Sequence, residues 1–377
     1  MRVTCVLGTR PEAIKLAPVI LALRARPGTR CDIFSTGQHR DLLHQALAGF
    51  GLAADHDLDL MRPDQNLTQL TSGALEGLAP WLDATRPDAI LVQGDTTTAF
   101  VGALAGFHAG IRVGHVEAGL RSGNPRAPFP EEMHRGLIAR LATWHFAPTA
   151  LAAANLRREG VAEASITITG NTGIDALLMV AREAARDERL ARRFAFLDRE
   201  RRLILVTGHR RENFEGGLLR VARAIGRLAE RPDVQVVFAL HRNPRAAAPA
   251  LAALGDRPHV HLLPPQDHAA FLWLMQRAHL IVTDSGGVQE EAPSLGRPVL
   301  ITRNESDRPE AICAGTARLV GTDGTTLLRE ATRLLDHQAA WTKMAQASNP
   351  YGDGQAAGRI VDRLTAELTL ARALHPA

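Results

Sequence analysis

The chain has 377 residues, 45% hydrophobic and 22% charged, with a formal net charge of +4; it is too long for one ordinary core, suits two, and is not disordered in composition. No apolar run approaches the roughly 20 residues of a membrane span, and the opening MRVTCVLGTRPEAIK carries no small-residue cleavage site of a signal peptide. Basic residues are scattered and aromatics make up only 4%, so the chain lacks both the basic patch and the stacking platform of a nucleic-acid binder.

Neither nucleic acid nor membrane is therefore an expected partner. Taken in chain order, RVTCVLG (2–8) reads as a strand and leads into a helix over 12–26. CDIFSTG (31–37) precedes a helix over 40–50, PDAILVQG (87–94) a helix reaching about 109, and RVGHVEAG (112–119) is a further strand. The pattern restarts at SITITG (165–170), which is followed by one helix through about 193. The later strands are LILVTGHR (203–210), VQVVFAL (234–240), VHLLPP (260–265), LIVTDSGG (280–287) and RPVLITR (297–303). Apolar, β-branched strands each followed by a helix imply parallel sheets covered on both faces. The expected fold is α/β, with two Rossmann-like doubly wound domains facing across a cleft: 1–170, 171–357, and a helix over 358–377 that packs back on the first domain. Cys5, Cys31 and Cys313 show neither a disulfide framework nor metal-ligand spacing, which fits a reducing cytoplasm.

Polar clusters fall at the carboxyl ends of these strands, where open α/β sheets bind ligands. The first is Gly8-Thr9-Arg10-Pro11-Glu12 with Lys15 one turn into the helix. Arg10 and Lys15 read either as a cationic pair for a diphosphate or as solvated helix-start charges. Lys15 carries an extra hint, because Lys15 and Lys343 are the only lysines among 44 basic residues. Asp95, Glu117, Glu131 and Glu132 supply carboxylates from the same domain, and His209 supplies an imidazole from the second. An acid directly after an apolar strand is rarely there for stability, though any one of them could be a cap or a salt-bridge partner. Asp284-Ser285-Gly286-Gly287 follows a strand and opens a helix, the setting of a phosphate seat or of a tight turn. Glu291 reads either as an acceptor for a ribose diol or as a helix-start acid complementing the dipole. No G-x-G-x-x-G or P-loop follows any strand, so no nicotinamide, flavin or other cofactor is expected, and no metal.

Cations that hold a nucleotide diphosphate make it a good leaving group. Its departure from a sugar C1 acidifies the C2 proton, which a carboxylate base can then remove without redox chemistry. The chain also resembles the non-hydrolysing bacterial UDP-N-acetylglucosamine 2-epimerases, of GT-B fold, nearly end to end. The resemblance rests on GTRPEAIK (8–15), QHR (38–40), VQGDTTT (92–98), VGHVEAGLR (113–121), PEE (130–132), ITGNTGIDAL (168–177), LVTGHRREN (205–213), VTDSGGVQEEAPSLG (282–296), RPEA (308–311) and NPYGDG (349–354). It implies catalytic roles for Asp95, Glu117, Glu131 and His209, with Arg10 and Lys15 binding substrate. It further implies that Gln266 and Phe271 contact the uracil, that Ser285, Gly286 and Gly287 bind the diphosphate, Glu291 the ribose, and Arg308 the phosphates or sugar. A UDP-sugar substrate, a homodimer and no cofactor or metal follow from the same resemblance. His134 departs from the family, as do Glu305, Ser306 and Asp307. Asp41 and Asp64 stand near positions that some members use for an activating second substrate molecule, which puts that regulation outside expectation. The rival reading is a GT-B glycosyltransferase, which needs fewer acids in its first domain.

Overall fold

Short apolar runs build two parallel sheets. The computed structural model describes every residue except 39, 63, 215, 242, 256, 307–308 and 375–377, and for 40, 211 and 371–374 the backbone alone. The chain divides into two units, Met1–Ala176 with Tyr351–Ala377, and Leu177–Pro350.

In the first unit the strands are β1 (Arg2–Leu7), β2 (Arg30–Ser35), β3 (His56–Asp57), β4 (Ala89–Gln93), β5 (Arg112–Val116), β6 (Trp144–Ala147) and β7 (Ile166–Ile168), in the order β3-β2-β1-β4-β5-β6-β7. Cys5 of β1 lies opposite Ile33 of β2 on one side and Leu91 of β4 on the other. Both faces of this sheet are covered, which is why its strands read as continuous apolar runs without alternation. On one face the helix Arg10–Ala25 buries Leu16, Val19, Ile20 and Leu23 against Val3, Cys5 and Leu7. The helix Thr97–His108 lies on the other face with no room to spare. A Cβ at Gly102 would stand 2.8 Å from Val92, and one at Gly106 would stand 2.7 Å from Val113. The final helix, Ala356–Leu374, lays Ile360, Val361, Leu364 and Leu368 on the same core as the helix Arg10–Ala25. Its start is held by Asp175, whose carboxylate accepts the backbone N–H groups of Ala356 at 3.3 Å and Ala357 at 2.9 Å.

The second unit repeats the plan. Its strands are β8 (Arg202–Thr207), β9 (Val234–Ala239), β10 (Val260–Leu263), β11 (Ala278–Thr283), β12 (Val299–Ile301) and β13 (Ala317–Leu319), in the order β10-β9-β8-β11-β12-β13. Strand order reverses between β1 and β4 in the first sheet and between β8 and β11 in the second, and such switch points are where doubly wound sheets receive ligands.

The structure departs from the sequence reading at short elements. Strands β3 and β13 are two and three residues long, too brief to show a period, and β6 (WHFA) contains no β-branched residue. The single helix expected through Arg193 is two, Thr172–Arg186 and Glu188–Arg193. Asp187 breaks it by capping the second, accepting from the Arg189 N–H at 2.8 Å. No described helix is long and apolar enough to cross a membrane.

Candidate active site

The first unit's switch point begins at Gly8, where a side chain is excluded: a Cβ would lie 2.3 Å from the hydroxyls of both Thr36 and Thr98. The helix then starts at Arg10, which is exposed and has no hydrogen-bond or ion-pair partner among the described residues. Lys15 lies one turn further along the helix and is held by a carboxylate. Its ammonium donates to both oxygens of Glu117, at 2.6 and 2.7 Å. Glu117 follows β5 with φ +67, a left-handed conformation costly for a residue with a Cβ. Its carboxylate is gripped again by the side-chain amide of Gln93, at the end of β4, and by Asn171 at 3.4 Å.

Asp95 sits one residue beyond Gly94, and a Cβ at Gly94 would be 3.7 Å from Glu117. Arg135 donates to the Asp95 carboxylate at 2.8 and 2.7 Å and reaches Glu132 at 3.0 Å. His134 Nδ1 lies 2.9 Å from the Asp95 carbonyl oxygen, with its ring stacked on Phe100. Burial alone would raise the Glu132 carboxyl, but the N–H groups of Ser122 and Gly123 and the Arg135 guanidinium hold it below the usual range. Glu131 is different: its Oε2 is buried and has no hydrogen-bond partner among the described residues. Beneath this cluster His115 is pushed down to about 3 by burial, against its bond to the Gly94 carbonyl, so its imidazole is neutral at ordinary pH. Among the described residues no three His, Cys, Asp or Glu side chains are grouped as metal ligands.

In the second unit the organising residue is Asp284, fully buried after β11. It accepts the backbone N–H groups of His209 at 3.0 Å and Arg210 at 2.9 Å, and the Asn213 side chain at 3.1 Å, so it fixes the loop after β8. His209 Nδ1 lies 3.4 Å from Asp284, and its ring stacks on His241. Burial lowers the His209 pKa most; Asp284 opposes that, while His241 and Arg210 add to it. Ser285 stands at the N-cap position of the helix Gly286–Glu291 without a side-chain capping bond, and its own N–H is committed to the Thr283 hydroxyl at 3.0 Å. Gly287 faces open space, with nothing within 4 Å of an added Cβ.

Glu291 is the last residue of that helix, not part of its first turn, so the dipole-complementing reading fails. Burial, with help from Glu290, pushes it up to about 7, and it has no hydrogen-bond partner among the described residues. Gln266 accepts from Arg193 at 2.7 Å, and Phe271 lies half-buried in the helix His268–Arg277. Arg308 lies outside the described residues. Asp41 and Asp64 are both exposed. Gln93, Asn171 and Arg135 were not singled out as site residues from the sequence, although Gln93 and Asn171 lie inside the quoted strings. The available signal was a polar residue at the end of an apolar strand, as at Gln93.

The family model described as UDP-N-acetylglucosamine 2-epimerase matches residues 21–365. The UDP-N-acetylglucosamine 2-epimerase of Escherichia coli K12 is 48% identical over 97% of this chain and 98% of its own. That of Yersinia pestis is 49% identical over the same shares, 97% and 98%. A crystal structure of the UDP-GlcNAc 2-epimerase from Neisseria meningitidis bound to UDP-GlcNAc superposes with a TM-score of 0.92 at 41% identity, covering 97% of this chain and all of that one.

Proposed function

The chain belongs to the UDP-N-acetylglucosamine 2-epimerase family, and from that premise we infer that it interconverts UDP-N-acetylglucosamine and UDP-N-acetylmannosamine by elimination and re-addition of UDP. A carboxylate takes the C2 proton as the C1–O bond to UDP breaks. The C–H electron pair becomes the C1–C2 double bond of a 2-acetamidoglucal, and the bond pair leaves with UDP. A carboxylic acid then returns a proton to the opposite face of C2 while UDP oxygen re-forms the bond to C1. The proton passes to one carboxyl group and is replaced from another, while UDP leaves and returns with its bond pair, so atoms and electrons balance.

The observation that carries this reading is the unequal treatment of the carboxylates. Asp95 and Glu117 are locked to Arg135 and Lys15, whereas Glu131 keeps a buried oxygen with no partner among the described residues. Glu131 is accordingly the group that exchanges a proton with C2 on one face, and a second acid of the same unit serves the other face. Asp95 and Glu117 stabilise the positive charge that develops at C1. Arg10, His209, Ser285, Gly286, Gly287 and Arg308 hold the diphosphate, Glu291 the ribose diol, and Gln266 with Phe271 the uracil.

The same reading makes the protein a cytoplasmic homodimer, in which the exposed Phe107, Met133 and Leu137 of adjacent helices are covered by the second copy. Incubation of UDP-N-acetylglucosamine in D2O, followed by proton NMR, tests the chemistry. Deuterium appears at C2 of both epimers; retention of protium there through many turnovers overturns the mechanism.

A further inference from the structure

Glu12 takes no part in the proton transfers above, yet no side chain near the first switch point is buried more completely: it has no exposed surface. A carboxylate at the third position of a helix ordinarily reaches back to one backbone N–H. Here Oε2 accepts three groups at once: the Gly8 N–H at 3.0 Å, the Thr9 N–H at 2.8 Å and the Thr9 hydroxyl at 2.8 Å. The other oxygen is left for a residue 84 positions away, accepting the Thr96 hydroxyl at 2.7 Å. No arginine or lysine pairs with Glu12 among the described residues. A helix cap alone does not explain a carboxylate buried without a cationic partner among the described residues, because its desolvation costs more than one cap returns.

We propose that Glu12 is a positioning residue that clamps the loop carrying Arg10 to the loop carrying Asp95. Strands β1 and β4 are neighbours in the sheet, so the clamp spans the switch point itself. Gly8 and Thr9 directly precede Arg10, and Thr96 directly follows Asp95. Thr96 is held from both sides, since its hydroxyl also accepts the Ala99 N–H at 3.0 Å and caps the next helix. Burial raises the Glu12 carboxyl to about 7 against four hydrogen bonds that lower it, and the clamp tolerates either protonation state. When protonated, Oε1 donates to Thr96 instead of accepting, and Oε2 still takes both backbone groups.

That tolerance separates a clamp from a proton carrier. In Glu12→Gln the amide oxygen accepts the Gly8 and Thr9 N–H groups and the amide nitrogen donates to Thr96, so geometry survives while proton transfer is impossible. The inference rests on the proposed epimerisation for its kinetics, so backbone hydrogen exchange of residues 8–10 and 94–98 is followed beside it.

The expected result is that Glu12→Gln stays within about threefold of the unmodified kcat, and Glu12→Ala loses about a hundredfold in kcat with KM moved far less. Glu12→Ala also loses amide protection in both loops. Thr96→Val falls about tenfold while Thr96→Ser recovers, which keeps the test open if Glu12→Ala does not fold. Loss in Glu12→Gln equal to that in Glu12→Ala, or full activity in Glu12→Ala, overturns the clamp. Should the unmodified protein fail to exchange C2 hydrogen, the function reading falls alone, and the loop protection still decides on Glu12.

Discussion

At the β1/β4 ends of the first unit most charges meet a partner: Lys15 holds Glu117, Arg135 holds Asp95 and Glu132, and Glu12 is saturated by four donors. At the β8/β11 ends of the second unit, built from the same strand order, the deep residue is well satisfied but a nearby carboxyl is not. Asp284 grips the loop below, while Glu291 keeps no hydrogen-bond partner among the described residues and Gly287 faces open space. The difference separates two tasks that one fold performs. On the proposed reading, the groups that stabilise charge at the reacting carbon are fixed in advance by their neighbours, because reorientation during reaction adds to the barrier. Among the described residues, Glu131 alone of the first unit's named acids keeps a buried oxygen open for the proton. A surface that must receive a ligand keeps its acceptors and its space available until the ligand comes.

Breaking the best-made pair in the first unit has the largest expected effect. Lys15→Met leaves Glu117 held only by two amides, and C2 deuterium exchange falls at least about a hundredfold. The pair is only partly buried, so its loss costs about 1–3 kcal/mol in denaturant unfolding, below the range for fully buried pairs. Adding Glu117→Gln to Lys15→Met recovers part of that stability. A coupling energy indistinguishable from zero in the double-mutant cycle contradicts a preassembled pair.

In the second unit the matching experiment sharpens the contrast through a smaller effect. A carboxyl raised to about 7 in the folded state and near 4.5 unfolded binds its proton more tightly when folded. Glu291 therefore favours folding most below about pH 4.5, and that contribution is lost as pH rises towards 7. Glu291→Gln flattens the fall in unfolding free energy between those values, and bound UDP offsets the same cost by supplying hydrogen-bond donors. An unchanged pH slope in Glu291→Gln means that the carboxylate already has a partner.

The fold was legible because β-branched runs, helix-period segments and glycine-marked turns agree along most of the chain. Among strands, what escaped was short or locally atypical, namely the two-residue β3, the three-residue β13 and WHFA in β6, and the helices Leu67–Thr85 and Glu131–Leu141 escaped as well. Within the site, residue types at strand ends were readable, but partnerships were not. Lys15 stood out as a lone lysine, yet nothing local says that its ammonium reaches a glutamate 102 residues on. Gln93 and Asn171 were invisible as ligands of Glu117 for the same reason, since the left-handed turn at Glu117 that aims its carboxylate has no signature without glycine. Glu12 drew no reading of its own from the sequence, because its second oxygen is assigned only by the fold.

The division of labour between the units is tested most directly by the UDP dissociation constant of two variants, measured by calorimetry beside the unmodified protein. Glu131→Gln removes the proposed proton carrier of the first unit, and Gly287→Ala adds a methyl group where the second unit leaves room. The expected result is UDP affinity within about threefold for Glu131→Gln and at least about tenfold weaker for Gly287→Ala. Equal losses in the two variants, or a greater loss in Glu131→Gln, would contradict the assignment of chemistry to one unit and nucleotide to the other.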